Sequence, residues 1–280
     1  MGTTDFFKAA KQRRRTSLYS EEFGHGDTPF LLLHGLGGGV STWREVAEIM
    51  APNHHILIVD LLGFGRSPRP DIGYTLDDHL TALENFLEET GLASKVINIA
   101  GHSMGGILAV ELAARRPEKV GTVALVNFPF FHSPTEVRGI ADRLGPLARL
   151  TVTGHWSAKI LCGIMCSLRP FLILLAPLFV QGVPPSVARD ALRHNFNSYS
   201  RSLQNVVINH RPDPACGVLA NWPVTLLHGE EDPVVPVDNV RSLVEKFPEW
   251  RLETLAGGGH LLPIDHPKEI AKLLKTALLN

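Results

Sequence analysis

Short apolar runs bounded by Gly, Pro or Asn alternate along this chain with longer stretches of helical period. Runs without polar alternation suit strands buried on both faces, and their alternation with helical stretches predicts a parallel sheet covered on either side. The candidate strands are Phe30 to Leu33, His55 to Val59, Val96 to Ala100, Val120 to Val126, Val224 to Leu227 and Arg251 to Leu255. Between them fall predicted helices at Thr42 to Met50, Leu76 to Thr90, Met104 to Arg115, Val237 to Lys246 and Pro267 to Leu279.

The alternation stops between Phe128 and Asn221, where helical stretches succeed one another with no buried strand. The chain therefore divides into an α/β core over residues 1–127 and 222–280 and an inserted helical cap over residues 128–221. With 280 residues, one such domain with an insertion fits better than two independent ones. Within the cap, Leu161 to Val180 is dense in apolar residues, but Arg169, Pro170 and Pro177 interrupt it. Its uninterrupted part is about half the roughly 20 residues that a membrane span needs. An apolar lid over a binding site is the preferred reading, with weak membrane or lipid contact through the cap as the second.

Twenty-seven basic residues against 28 acidic ones leave a net charge of −1, with no overall field to hold a polyanion, so nucleic acid is excluded as a partner. Lys8, Lys11, Arg13, Arg14 and Arg15 have no apolar stretch after them. They read as a solvated tail rather than a secretory leader, and Phe6 counters a myristoylation signal at Gly2. The three cysteines, Cys162, Cys166 and Cys216, make no disulfide framework and point to a reducing, cytoplasmic setting. Cys162 and Cys166 could share a helix face, but among Ile160, Leu161, Ile164 and Met165 they read as packing rather than metal ligands.

The chemistry concentrates where predicted strands end. Gly101-His102-Ser103-Met104-Gly105 joins a buried strand to a helix, the context of a nucleophile elbow. So abrupt a reversal strains the central residue and crowds its neighbours, which explains small residues two before and two after Ser103. It lifts the hydroxyl clear of the sheet, beside the unpaired N–H groups and positive end of the following helix. His34-Gly35-Leu36-Gly37-Gly38-Gly39 follows the first apolar run and can bring a second backbone donor. The oxyanion donors are assigned to the amides of Leu36 and Met104, with the neighbours of Leu36 as alternatives.

A serine hydroxyl needs a base within reach. Among thirteen histidines, His260 follows the last predicted strand and Gly257-Gly258-Gly259, which act as a flexible approach. His102 points elsewhere at the elbow, His34 braces the oxyanion loop, and His228 lies in or at the end of a strand. The acid that orients the base should leave the sheet before it, on the loop His228 to Pro236. Asp232 is the choice, with Glu230 and Glu231 as rivals and Asp238 as a weaker one that suits a helix cap.

With Asp60-Leu61-Leu62-Gly63-Phe64-Gly65-Arg66-Ser67, these segments make five ordered landmarks, and from about Phe30 to Leu279 the chain resembles the α/β-hydrolase superfamily. The resemblance implies an eight-stranded, mostly parallel, doubly wound sheet, and the triad order Ser, Asp, His that this sequence has. Ser103 stands where the superfamily's epoxide hydrolases and dehalogenases carry aspartate, which disfavours their reactions. Leu261 stands where its carbon–carbon hydrolases often have Trp. The expected activity is that of a carboxylesterase-like serine hydrolase acting on small apolar or aromatic esters, without metal or organic cofactor. A lactonase, thioesterase, perhydrolase or carbon–carbon hydrolase using the same triad is the alternative, and a non-hydrolytic ligand receptor is a further one.

Overall fold

The structure, a computed structural model, describes residues 18–133, 136, 137, 139, 168, 169, 171–175 and 182–277. The basic residues Lys8 to Arg15 and the cysteines Cys162 and Cys166 lie outside them.

Seven strands form one sheet: β1 (Ser20–Phe23), β2 (Phe30–Leu33), β3 (Ile56–Val59), β4 (Ile97–His102), β5 (Val120–Val126), β6 (Val224–Gly229) and β7 (Arg251–Leu255). Their order is β1-β3-β2-β4-β5-β6-β7, all parallel except β1, which runs antiparallel to β3. Six of the seven are the predicted strands, within one or two residues. The exception, β1, is Ser-Glu-Glu-Phe at the sheet edge, where one side needs no apolar cover and the sequence carries no apolar run. The resemblance implies eight strands; seven lie among the described residues.

Side chains alternate across each strand with period two. Leu31, Leu33, Leu57, Val59, Ile99, Val123 and Leu125 enter one core cluster, while Phe30, Leu32, Ile56, Ile58, Ala100, Ala124 and Val126 enter another. Because both sets are apolar, both faces must be covered. Helices α1 (Arg44–Met50) and Pro267–Ala277 cover the second face with Val46, Ala47, Met50, Ile270, Ala271 and Leu274. Helices α2 (Leu76–Glu89), α3 (Met104–Arg115) and Val237–Lys246 cover the first, through Leu83, Phe86, Ile107, Leu108, Val240 and Leu243. The start of α2 is set by a capping box: Asp78 N–H donates to Thr75 Oγ1 at 3.1 Å, and Thr75 N–H to Asp78 Oδ2 at 2.8 Å.

Between β5 and β6 the described residues hold helices Pro185–Asp190, Phe196–Ser202 and Asp213–Val218 and a π-helical stretch Leu203–Ile208. In the apolar run, residues 171–175 are helical, with Phe171 and Leu174 exposed by 69% and 70%. No helix among the described residues is long and apolar enough to cross a membrane.

Candidate active site

Parallel strands all end at one edge of the sheet, so the residues that follow β2, β4, β5 and β6 are neighbours in space despite their separation in sequence. Ser103 stands between β4 and α3 with φ 51° and ψ −121°, a conformation that a non-glycine residue rarely adopts. The flanking glycines show why the turn closes. A Cβ on Gly101 would strike the Gly105 carbonyl and the Gly106 amide, and one on Gly105 would strike the Leu33 and His34 carbonyls. The elbow therefore folds back on itself and presses against the end of β2, which brings the glycine loop to the serine.

That loop is a tight turn, closed by Gly38 N–H donating to the Gly35 carbonyl at 3.1 Å, with Leu36 and Gly37 at its tip and Gly37 at φ +74°. Gly35 passes so close that a Cβ there would lie 3.1 Å from Ser103 Cβ and 2.9 Å from His102 Nδ1. The loop is held from behind by His34, fully buried: its Nδ1–H donates to the Gly35 carbonyl at 2.7 Å and its Nε2 accepts from Leu61 N–H at 2.9 Å. Those two bonds define a neutral tautomer, and burial pushes the His34 pKa down to about 4. Two carboxylates hold the far end. Asp60 accepts from Val40 N–H at 2.6 Å and Arg66 N–H at 2.7 Å, and Asp190 accepts from Ser41 N–H at 3.3 Å. Burial, opposed by those amides, raises Asp60 to about 6. Met104 opens α3, so its N–H has no acceptor within the helix.

His260 and Asp232 meet Ser103. Ser103 Oγ–H donates to His260 Nε2 at 3.1 Å, and His260 Nδ1–H donates to Asp232 Oδ2 at 2.8 Å. The Asp232 side chain is wholly buried, and burial alone would raise its pKa. The hydrogen bond and charge of His260, with the amides of Val235 at 3.0 Å and Val234 at 2.8 Å, outweigh burial and hold the carboxyl below its ordinary value. Its rivals are elsewhere. Glu230 and Glu231 are exposed, with Glu230 accepting from Thr254 Oγ1–H, and Asp238 sits in the first turn of Val237–Lys246, bonded to Arg241 rather than capping the helix.

The glycine approach to His260 is hydrogen-bonded at Gly258. Gly258 N–H donates to the Leu255 carbonyl, and the Gly258 carbonyl accepts from Glu231 N–H at 2.9 Å. A Cβ on Gly229 would meet the carbonyls of Gly258 and Gly259. Gly229 and Gly258 let two backbones touch, and these bonds tie the approach to the end of β7 and to the loop after β6.

Two residues join the site without having been singled out for it. Asn127, fully buried just after β5 with φ 48°, donates Nδ2–H to Asp232 Oδ2 at 2.7 Å and to the Gly259 carbonyl at 3.2 Å. Its signal in the sequence is an Asn directly after the apolar run Val120 to Val126, at the same strand edge as the other site residues. The second, His102, does point away from Ser103, but toward His260: its Nε2–H donates to the His260 carbonyl at 2.7 Å. Among the described residues no group of three or more His, Cys, Asp or Glu side chains is placed to hold a metal ion.

A serine hydroxyl bonded to an imidazole, itself bonded to a buried carboxylate, can surrender its proton as it attacks a carbonyl carbon. Comparison with known proteins gives the family and the fold. Residues 30–273 match the model of the "Alpha/beta hydrolase family". The chain is 24% identical over 260 residues to "Lipase 3" of Moraxella sp. (strain TA144), covering 91% of this chain and 78% of that protein. A thermophilic esterase of Thermogutta terrifontis shares the fold at TM-score 0.71 and 20% identity, over 94% of this chain and 93% of that one. The enol-lactonase of Burkholderia xenovorans LB400 does so at TM-score 0.72 and 20% identity, over 94% and 96%.

Proposed function

The chain belongs to the alpha/beta hydrolase family, and from that premise we propose that it is a serine hydrolase cleaving carboxylic esters of apolar or aromatic character through an acyl-enzyme. The observation that carries the proposal is the unbroken chain Ser103 Oγ, His260, Asp232, with links of 3.1 and 2.8 Å.

In this reading Ser103 Oγ attacks the ester carbonyl while His260 Nε2 takes its proton. Asp232 stabilises the imidazolium that forms and keeps the ring in the tautomer with Nδ1–H. Negative charge on the carbonyl oxygen falls to the amides of Leu36 and Met104. His260 then returns the proton to the leaving alcohol, and a water activated by the same ring releases the acid. A burst of product from an activated ester separates this reading from that of a non-hydrolytic ligand receptor.

Residues 128–221 act as a cap in this proposal, but Phe171 and Leu174 are too exposed to line an acyl pocket. Together with Leu168 and Leu175 they give the helix an outward apolar side that suits a lipid surface.

The test is a stopped-flow burst with p-nitrophenyl acetate combined with fluorophosphonate labelling. A burst of about one p-nitrophenol per chain and a label on Ser103 are expected. A label mapped to another serine, or a folded Ser103→Ala variant that keeps more than a tenth of the activity, refutes the assignment.

A further inference from the structure

Three consecutive carbonyls at the base are each held by a donor from a different part of the fold. Gly258 O accepts from Glu231 N–H at 2.9 Å, Gly259 O from Asn127 Nδ2–H at 3.2 Å, and His260 O from His102 Nε2–H at 2.7 Å. A Cβ on Gly229 would strike the first two of these carbonyls, so close backbone packing backs the bonds there. Of the three donors, only His102 acts on the histidine itself.

His102 also occupies a central place. It ends β4, opposite Val126, and precedes the nucleophile in the chain. Its ring is buried at 3% exposure, 5.1 Å from the His260 ring between centroids, and its Nδ1 edge lies against Gly35 of the oxyanion turn. One imidazole thus abuts the nucleophile, the base and the turn assigned to the oxyanion. The carbonyl at 2.7 Å requires a hydrogen on Nε2, so the neutral ring has Nδ1 as its bare edge. Burial pushes its pKa down to about 3, with the neighbouring His260 adding to the effect, so no second cation competes with the imidazolium that forms on His260.

We propose that His102 is a positioning residue for hydrolysis: by holding the His260 carbonyl it fixes the base over Ser103 and sets the alignment of proton transfer without touching substrate. This rests on the reading of Ser103 and His260 given above. It is distinct from the role of Asp232, which fixes the tautomer and rotation of the ring through Nδ1, whereas His102 fixes the backbone from which the ring projects.

The experiment compares His102→Phe, planar and without a donor, His102→Gln, whose amide can reach the same carbonyl, and His260→Ala as a control. All are assayed for kcat and KM on p-nitrophenyl acetate, with thermal melts. The Phe variant should lose about 10- to 100-fold in kcat, the effect of a displacement near 1 Å, with KM within about twofold. The Gln variant should recover most of that loss. If Phe keeps more than half of the kcat, or Phe and Gln fall alike, the inference is overturned. Should Phe fail to fold, Gln decides: a folded Gln variant within about tenfold of wild-type kcat upholds the proposal, and one that falls further overturns it. If His260→Ala retains full activity, the assignment of the base is wrong, a separate failure from that of His102.

Discussion

Asn127 Nδ2 and Asp232 Oδ2 lie 2.7 Å apart, and this same oxygen accepts the Nδ1–H of His260 at 2.8 Å. The amide therefore pins the carboxylate atom on which the orientation of the imidazole depends. Asn127 holds this place with a left-handed backbone, which Gly and Asp also tolerate. Asn127→Gly removes the donor at little backbone strain and should lower kcat/KM by about 10- to 100-fold, the worth of a hydrogen bond to a charged group. Asn127→Asp, which sets a second carboxylate against the first, should be worse at pH 7. Equal or better activity for Asn127→Asp would show that the contact does not act through charge.

Asp232 is set apart from Glu230 and Glu231 by burial as well as by its contact with His260. Asp232→Asn should reduce kcat by about 10⁴-fold, because the amide favours the wrong tautomer of His260. Glu230→Gln and Glu231→Gln should leave it within about twofold, as surface changes away from the site. Steady-state kinetics on the three variants decides, and a larger loss for either glutamate variant identifies the wrong carboxylate.

The glycines divide by what surrounds them. Gly101→Ala and Gly105→Ala drive a methyl into backbone atoms that cannot swing aside, and each should cost about 3 kcal/mol or more. That is several degrees in melting temperature for a chain of this size. Gly259→Ala meets open space and should melt within about 2 °C of the wild type. Calorimetry on the three proteins checks this, and a Gly259→Ala protein as unstable as the others contradicts it.

Burial lowers His34, His79 and His194 to about 4 and His102 to about 3. The unfolded chain binds protons at these residues near their ordinary 6.5, so their contribution to stability is present above that pH and is lost as pH falls toward 4. Asp60, raised to about 6, works in the opposite sense: the native form holds its proton more tightly, which adds stability as pH falls below 6. The histidines outnumber it. Unfolding at pH 5 should take up about three protons net, and stability should fall by about 4 kcal/mol per pH unit there. Urea midpoints at pH 7, 6 and 5 measure it, and a flat series would mean that these rings are not buried in neutral form.

The outward apolar residues of the helical stretch give a last expectation. Phe171→Ser with Leu174→Ser should weaken sedimentation with phosphatidylcholine vesicles by at least about tenfold, since each large apolar side chain withdrawn from water contributes about 1.5–3 kcal/mol. Turnover of p-nitrophenyl acetate should stay unchanged. Equal vesicle binding by variant and wild type would remove lipid contact as the role of this face.

What the sequence determined alone was whatever local chemistry enforces. Val120 to Val126 reads as a buried strand because its residues are nearly all apolar, and it is β5 in the structure. Gly101 reports the elbow because the crowding that excludes a Cβ arises within five residues, against Gly105 and Gly106. Ser103, His260 and the loop that carries Asp232 could be set side by side from the sequence because parallel strands send their following loops to one edge. The tertiary structure decided what depends on contacts across more than a hundred residues, such as Asn127 with Asp232 and His102 with the His260 carbonyl. A histidine beside a nucleophile and an asparagine after a strand carry no mark of their partners, because a hydrogen bond is specified by distance and direction and residue type supplies only the donor. The same reason separates Asp232 from Glu230 and Glu231: all three occupy one loop, and only packing decides which carboxylate turns inward.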